Sequence, residues 1–320
     1  MVKVLFLARF WRQTMERRIG SIDGVALTAT DDFDAFLAGI PQADVLIVPD
    51  LHGAQAKRLV DAVAAAPNVR WIHSVSAGNE GLIAAGLPAT RLLTRTLGAA
   101  ANTIGEHVFA LFLALGHRVP DHLAAMTEAR WQRPKTAPLA LEGRTLLVVG
   151  LGHIGREIAR LGRAFRMTVI AANRTVAPDD AVDEIHPLSA LPDLLPRADL
   201  IAVAVAMSPA TRHLFDAAAF ARCKPTALLV NIARGGIVDS KALCDALVAG
   251  RLGGAGLDVT EPEPLPPDHP LWRAPNLIIS PHMSALGSPE SERRQADRVG
   301  ENIERYVRGE DPIGVLAPGA

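Results

Sequence analysis

Short apolar segments alternate with alanine-rich helical segments along most of this 320-residue chain, and this alternation restricts the possible folds more than any other feature. Such alternation is typical of a parallel sheet whose strands are joined by helices. The predicted strands cover residues 2–8, 44–49, 69–74, 146–150, 168–172, 200–205, 228–231, 254–258 and 277–280. The predicted helices cover residues 55–65, 100–118, 154–165, 240–249 and 288–308. We therefore predict an α/β fold built on doubly wound parallel sheets.

Two long helical segments, near residues 100 and 288, interrupt the strand pattern and indicate where one domain gives way to another. The chain is also too long for one typical hydrophobic core. We predict a dinucleotide-binding domain of residues 98–286, inserted into a discontinuous substrate (catalytic) domain of residues 1–97 plus 287–320. A cleft between the two domains is the expected ligand site.

Composition excludes several classes of function. The formal net charge is -1, and no basic stripe of the kind that binds nucleic acid is present. The only cysteines, Cys223 and Cys244, exclude a disulfide scaffold and fit a reducing cytosol. The N-terminus lacks the long apolar region of a signal peptide, and the apolar stretch 108–116 is too short to span a bilayer. We expect a cytoplasmic, soluble protein that binds neither nucleic acid nor membrane and has no metal site.

A glycine-rich loop, Gly150-Leu151-Gly152-His153-Ile154-Gly155, joins the predicted strand 146–150 to the predicted helix 154–165. The first glycine permits a tight turn, the second lets the backbone approach a pyrophosphate, and the third lets helix and strand pack closely. The phosphates then lie against free N–H groups at the helix N-terminus. The alternative is an ordinary strand–turn–helix corner with incidental glycines. We interpret the loop as a dinucleotide-binding site.

The residues after the next strand, Asn173-Arg174-Thr175, occupy the place where a dinucleotide site reads the adenosine ribose. An acidic residue there would accept hydrogen bonds from the ribose hydroxyls of NAD and would repel a 2′-phosphate. Asn173 is uncharged, and Arg174 can hold a phosphate by a forked contact. We therefore expect NADP(H) to be preferred, with NAD(H) possible. The alternative is that Arg174 is a solvated loop charge.

Three residues in the second half of the chain have the chemistry needed to reduce a carbonyl beside a carboxylate. Arg234 follows a buried strand, and its planar guanidinium matches a 2-keto carboxylate. His282 also follows a strand and can donate a proton to the carbonyl oxygen. A neighbouring glutamate can orient the imidazole and raise its pKa, and the residues leave open whether Glu261 or Glu263 does so. A surface ion pair for Arg234 and a structural histidine at 282 are the alternatives.

These motifs resemble those of the D-isomer-specific 2-hydroxyacid dehydrogenase family, over nearly the whole chain. The resemblance is carried by the glycine loop 150–155, the arginine motif 231–239, the glutamate motif 256–265 and the histidine motif 271–282. It implies two Rossmann-like or flavodoxin-like domains. It also assigns the carboxylate that supports His282 to Glu263, and it implies that Asp258 holds the nicotinamide amide.

The resemblance implies a fuller set of binding residues. Catalysis is assigned to Arg234, Glu263 and His282. Substrate binding is assigned to the loop 74–78, through backbone N–H groups of Ala77 and Gly78, together with Arg234 and His282. The implied cofactor-binding residues are Thr103, Gly150, Gly152, His153, Ile154, Gly155, Asn173, Arg174, Thr175, Ala206, Ile232, Ala233, Arg234, Asp258 and His282. The chain departs from the family at Ala206, where proline is frequent, and at Glu80, where aspartate is usual.

The predicted activity is NADPH-dependent reduction of a small 2-keto acid, of the glyoxylate or hydroxypyruvate type, to the D-2-hydroxy acid, and the reverse oxidation. An NAD-linked D-lactate or phosphoglycerate dehydrogenase is an alternative. No regulatory domain follows residue 320 in this sequence, which we expect to disfavour the phosphoglycerate role. A non-catalytic cofactor sensor or corepressor is the alternative from another class. We also expect a homodimer formed through residues 100–133, because the apolar run 108–115 has more hydrophobic surface than one helix face can bury.

Overall fold

The computed structural model describes residues 1–76, 78–133 and 137–316, and the chain divides into two compact units. The first unit consists of Met1–Ala100 and Ser288–Ala320, and the second of Ala101–Gly287. The strands are β1 (Val2–Leu7), β2 (Val25–Thr30), β3 (Val45–Val48), β4 (Trp71–Ser74), β5 (Leu92–Arg95), β6 (Thr145–Val149), β7 (Thr168–Asn173), β8 (Glu184–Pro187), β9 (Leu200–Val203), β10 (Leu228–Asn231), β11 (Gly254–Leu257) and β12 (Leu277–Ile279).

The helices connect these strands and cover the sheets. They are α1 (Arg12–Gly20), α2 (Phe33–Gly39), α3 (Gly53–Ala64), α4 (Glu80–Ala84), α5 (Ala101–Gly116), α6 (Val119–Thr127), α7 (His153–Ala164), α8 (Leu191–Leu194), α9 (Ala217–Arg222), α10 (Ser240–Val248) and α11 (Pro289–Val307). None of the helices formed by the described residues is both long and apolar enough to cross a membrane.

The first unit contains a parallel sheet with the strand order β2-β1-β3-β4-β5. Successive side chains of a strand point to opposite faces. Accordingly, Leu5 and Leu7 of β1 belong to one buried cluster, and Val4 and Phe6 belong to another. Both faces of the sheet are therefore covered, as is general for parallel sheets. The order is that of a flavodoxin-like sheet.

The second unit contains a parallel sheet with the strand order β12-β11-β10-β9-β6-β7-β8. This order reverses beside β6, which pairs with β7 on one side and β9 on the other. It is the order of a Rossmann-like sheet with an added strand, in which ligands bind at the carboxyl ends of the strands near the reversal. Together the two sheets confirm the predicted α/β fold class.

Helix α5 corrects one part of the sequence interpretation. Within the run 108–115 the large side chains of Val108, Phe109, Leu111, Phe112 and Leu115 are all buried inside the chain. The helix packs against α7, with the Phe109 ring stacked on Phe165 at 5.0 Å, and it also contacts β10 and β11. Apart from the half-buried Leu113, the large side chains of this run are therefore covered within the second unit, which packs on more than one face of the helix.

Candidate active site

The loop between β6 and α7 has the geometry expected of a phosphate cradle. Gly150 has a φ of +99°, which side chains rarely adopt, and a Cβ there would also collide with the backbone of Val205. A Cβ on Gly155 would collide with the carbonyl oxygen of Gly150, so glycine allows α7 to approach β6. At Gly152, in contrast, a Cβ would meet nothing within 4 Å. The loop thus combines close packing on one side with open space on the other.

The N-terminus of α7 faces this open space. The helix begins at His153, with Gly152 as its N-cap, and its first backbone bond runs from the Arg156 N–H to the Gly152 carbonyl. The N–H groups of the first turn have no acceptor within a helix, and they favour a bound anion. His153 and Ile154 therefore present backbone donors where the loop leaves room. These residues fit a dinucleotide pyrophosphate.

The end of β7 is tied to the same loop through Asn173. Its amide oxygen accepts a hydrogen bond from the Leu151 N–H at 3.2 Å, and its amide nitrogen donates to the Thr175 carbonyl at 3.0 Å. Arg174 is exposed, and within the described ranges no carboxylate forms an ion pair with it. By comparison, Arg156 is 2.6 Å from Asp179. Arg174 is thus an exposed cation directly after β7, the strand whose last residue is tied to the glycine loop.

Arg234 follows β10, and a network around Asn231 shapes the turn that carries it. The Asn231 side chain accepts from the Ala233 N–H at 3.0 Å and donates to the Arg234 carbonyl at 2.9 Å. A Cβ on Gly235 would collide with the backbone of Thr260, so the turn packs closely on the segment after β11. The Arg234 guanidinium is half-buried and donates to the Ala233 carbonyl at 2.7 Å.

His282 and Glu263 form a direct pair. The His282 Nδ1 lies 2.6 Å from the Glu263 Oε1, and both side chains remain partly exposed. Glu261, the other glutamate that the residues left open, instead forms a forked contact with Arg212, with both N–O distances 3.0 Å. The structure therefore places Glu263 as the carboxylate partner of the imidazole. Because Nδ1 is the donor to Glu263, Nε2 is the ring atom left for another ligand.

The surroundings of His282 raise its pKa above the ordinary value. The hydrogen bond to Glu263 is the largest cause, and burial opposes it. The charge of Glu263 raises the pKa further, the charge of Arg234 lowers it, and the charge of Asp258 raises it. The contribution of Arg234 shows that its cation acts on the same imidazole. Three sequence-predicted residues, Arg234, Asp258 and Glu263, therefore act on the proton site of His282 within the second unit.

Asp258 is buried and already engaged by the loop that carries His282. Its carboxylate accepts hydrogen bonds from the Ser280 hydroxyl at 2.7 Å, the Met283 N–H at 2.9 Å and the Ser284 N–H at 3.0 Å. Burial raises the pKa of Asp258, but these hydrogen bonds outweigh burial and hold it below the ordinary value. Its side chain therefore anchors the histidine loop, a contact that the sequence did not indicate.

The remaining cofactor residues from the sequence lie at several places in the second unit. Thr103 is half-buried on α5, and Ala206 is exposed beyond β9, where its carbonyl accepts from the Thr211 hydroxyl at 2.8 Å. Ile232 is buried and Ala233 half-buried in the turn after β10. None of these four touches the His282–Glu263 pair through a hydrogen bond between described residues.

The predicted substrate loop belongs to the first unit and follows β4. Ala77 lies outside the described residues, whereas Gly78 is buried in the segment that leads to α4. The next residue, Asn79, is 3% exposed, and its amide oxygen and nitrogen have no hydrogen-bond partner among the described residues. Glu80 begins α4. Glu80 is the position at which the sequence departs from the family pattern. The buried polar side chain without a described partner, however, belongs to the preceding residue, Asn79.

Comparison with known proteins decides the family. The model of the D-isomer specific 2-hydroxyacid dehydrogenase NAD-binding domain matches residues 109–284, more than half of the chain. The chain belongs to this family. The family resemblance inferred from the sequence is thereby confirmed, and the glycine loop, the Arg234 turn, Asp258, Glu263 and His282 all lie within the matched residues.

Relatives in the family have two different activities in their names. A D-3-phosphoglycerate dehydrogenase of Mycobacterium bovis is 34% identical over 280 residues, which cover 87% of this chain but only 52% of that protein. The chain thus spans about half the length of this relative. A glyoxylate reductase of Korarchaeum cryptofilum is also 34% identical, over 79% of this chain and 77% of that protein.

Solved structures are similar to nearly the whole length of this chain. A family protein from Aeromonas salmonicida subsp. salmonicida superimposes with a TM-score of 0.86 at 31% identity, covering 98% of each chain. An NADPH-dependent glyoxylate/hydroxypyruvate reductase from Sinorhizobium meliloti, solved with NADP and sulfate, has a TM-score of 0.83 at 25% identity and covers 99% of each chain.

Proposed function

We propose that this protein reduces a small 2-keto acid of the glyoxylate or hydroxypyruvate type to the D-2-hydroxy acid with NADPH, and catalyses the reverse oxidation. The observation that carries the proposal is the 2.6 Å contact between His282 and Glu263, with Arg234 acting on the same imidazole. Cation, carboxylate and imidazole follow the neighbouring strands β10, β11 and β12, where a doubly wound sheet binds its ligands.

Substrate binding is assigned to a cation and to backbone donors. The Arg234 guanidinium is planar, and its fork matches a carboxylate in two parallel hydrogen bonds. The family resemblance assigns further carboxylate donors to the backbone N–H groups of Ala77, which lies outside the described residues, and of Gly78. In this assignment the first compact unit is the substrate domain and the second is the dinucleotide-binding domain.

Proton transfer is assigned to His282. In reduction, the imidazolium donates the Nε2 proton to the carbonyl oxygen, and the negative charge of Glu263 stabilises the imidazolium before transfer. In oxidation, neutral His282 accepts the hydroxyl proton at the same atom. NADPH, when bound, supplies the hydride to C2 of the substrate. The raised pKa of His282 keeps the acid form populated to higher pH, which favours the reductive direction.

The cofactor preference is assigned to the end of β7. The glycine loop and the first turn of α7 would hold the pyrophosphate, and Arg174 would hold the 2′-phosphate. Asn173, His153, Ile154 and Thr175 would add neutral hydrogen bonds. The solved reductase from Sinorhizobium meliloti, which contains NADP, supports this assignment. The remaining cofactor contacts are proposed at Thr103, Gly150, Gly152, Gly155, Ala206, Ile232, Ala233 and Asp258.

Phosphoglycerate oxidation with NAD is the second candidate, because relatives of that name are as similar as the glyoxylate reductase. Arg174 is exposed and forms no ion pair with a described carboxylate, which favours NADPH over NAD and thereby the first candidate. A non-catalytic sensor would have no need of the charge-supported His282–Glu263 pair. The decisive experiment is a panel of glyoxylate, hydroxypyruvate, pyruvate and D-3-phosphoglycerate, each assayed with NADP(H) and NAD(H). The highest kcat/KM with D-3-phosphoglycerate and NAD would replace the first candidate by the second.

A homodimer is proposed through the C-terminal part of the segment 100–133 that the sequence suggested. Because α5 is buried, the exposed apolar side chains lie instead on α6 and just beyond it, at Leu123, Met126 and Trp131. Exposed large apolar residues grouped in this way indicate a protein contact surface.

The proposed location is the cytoplasm. Cys223 and Cys244 are both free thiols, which fits a reducing compartment.

A further inference from the structure

The segment that carries His282 is strained and closely held. His282 has a φ of +51°, in the left-handed region that residues other than glycine seldom adopt. Such a conformation persists only where the surrounding contacts determine it. Here its N–H donates to the Asp258 carbonyl oxygen at 2.8 Å, and the next two N–H groups donate to the Asp258 carboxylate. The position of the imidazole therefore depends on Asp258.

Asp258 is in turn linked to helix α5 through Ser280 and His107. The Ser280 hydroxyl donates to the Asp258 Oδ1 at 2.7 Å, and the His107 Nε2 lies 2.9 Å from the same hydroxyl. Since the single hydroxyl proton is used toward Asp258, the hydroxyl oxygen must accept from His107, whose Nε2 therefore carries a proton. The His107 Nε2 is also 3.6 Å from the Asp258 Oδ1.

Helix α5, which carries His107, is fixed in position by its packing. Ile104 and Val108, on either side of His107 along the helix, are buried within the second unit. The helix contacts β10, β11 and β12, the strands that lead to Arg234, Asp258 and His282. A donor fixed on α5 therefore has a constant position relative to the ends of these strands.

We infer that His107 is a positioning residue for the reaction proposed above: it holds Ser280 and Asp258, and through them it fixes the loop that presents His282 to Glu263 and to the substrate. His107 itself touches neither Glu263 nor His282 through a hydrogen bond between described residues. The inference rests on the proposed function for its effect on turnover, but the link from His107 to His282 is testable without any reaction.

The test compares His107→Leu with His107→Gln. Leucine removes the donor, whereas the glutamine amide nitrogen can replace Nε2. Exposed His117, just after α5, provides the control His117→Leu. We expect His107→Leu to lower kcat about ten- to a hundredfold, the usual effect of losing an outer hydrogen-bond partner, with KM for NADPH nearly unchanged. His107→Gln should restore most of kcat, and His117→Leu should match the wild type.

The reaction-independent readout is an NMR titration of the His282 ring, assigned by its absence in His282→Asn. A loosened loop weakens the bond to Glu263, so the pKa of His282 should fall in His107→Leu and recover in His107→Gln. A His107→Leu variant that melts earlier but keeps the wild-type kcat and the wild-type His282 titration would overturn the inference. A wild-type enzyme without turnover would contradict the proposed function. The titration of His282 would still show whether His107 positions the loop that carries His282.

Discussion

The His282 Nδ1 lies 2.6 Å from the Glu263 Oε1, and this contact is the largest reason that the pKa of His282 is raised. In the proposed mechanism, reduction needs the protonated imidazole, so we expect its rate to fall as pH rises through this pKa. Oxidation needs the neutral imidazole, so we expect its rate to rise through the same pKa. By raising this pKa, the contact extends the pH range of reduction upward and raises the pH at which oxidation becomes fast.

Glu263→Gln should move both pH profiles toward acid. The amide oxygen can still accept from Nδ1, but it no longer stabilises the imidazolium by charge, so the pKa of His282 falls. The midpoint of the reductive limb is measured from kcat against pH. Glu261→Gln is the matched control, because Glu261 pairs with Arg212 and should leave the midpoint in place. An unmoved midpoint in Glu263→Gln would show that the carboxylate has no electrostatic effect on the histidine.

Arg234→Lys should raise KM for keto acids and also lower kcat. Lysine is a point charge and cannot reproduce a forked contact with a carboxylate. Because a hydrogen bond to a charged group contributes about 1.5–3 kcal/mol, kcat/KM should fall by about ten- to a hundredfold. Exposed Arg251 provides the control Arg251→Lys, which should leave the kinetics unchanged. Equal kinetics in both variants would remove Arg234 from substrate binding.

The wild-type enzyme should prefer NADPH to NADH by about ten- to a hundredfold in kcat/KM, as one charged hydrogen bond allows. Asn173→Asp combined with Arg174→Ala should reverse the preference. The introduced carboxylate can still accept the Leu151 N–H, so the glycine loop keeps this tether. Arg163→Ala, in the last turn of α7, is the control and should not change the ratio. A wild-type ratio near one would show that Arg174 does not read the 2′-phosphate.

The protein should behave in light scattering as a particle of about twice the 34.0 kDa chain mass at micromolar concentration. The double substitution Leu123→Glu and Met126→Lys should shift it to the monomer, because charges would be buried in the interface. Val248 on α10 is equally exposed and apolar, so Val248→Glu should leave the assembly intact. A wild-type monomer would contradict the proposal.

The strands that the sequence revealed have continuous apolar runs, and most of them are buried on both faces. β3 is Val-Leu-Ile-Val and fully buried, so its apolar run is evident in the sequence. β2, β5 and β8 are edge strands that were missed because polar residues fall within each of them, whereas the edge strand β12, Leu-Ile-Ile, was predicted from its apolar run. Helix α1 was missed because only Met15 and Ile19 of its residues are buried, among several charges. These missed strands and this helix form through tertiary packing, which the pattern of apolar residues along the sequence does not indicate.

In the candidate site, too, some residues could be predicted from the sequence and others could not. Residues next to strand ends, such as Arg234 and His282, could be named because parallel strands bring their carboxyl ends together. The choice between Glu261 and Glu263 needed coordinates or the family resemblance, since the two are only one proline apart. His107 lies far from His282 in sequence, and its link runs through two side chains. Its only signal was a histidine next to Glu106, just before the apolar run 108–115.

The most direct test of the account is the rate of NADPH oxidation with glyoxylate and with hydroxypyruvate, for the wild type and for His282→Asn. Loss of a positioned general acid typically costs about 10²–10⁴-fold. We therefore expect turnover by the wild type and a kcat reduced by that factor in the variant, with an NADPH Kd from direct titration that is nearly the same. A variant that keeps most of its kcat, or a wild type inactive with both keto acids, would contradict the central claim.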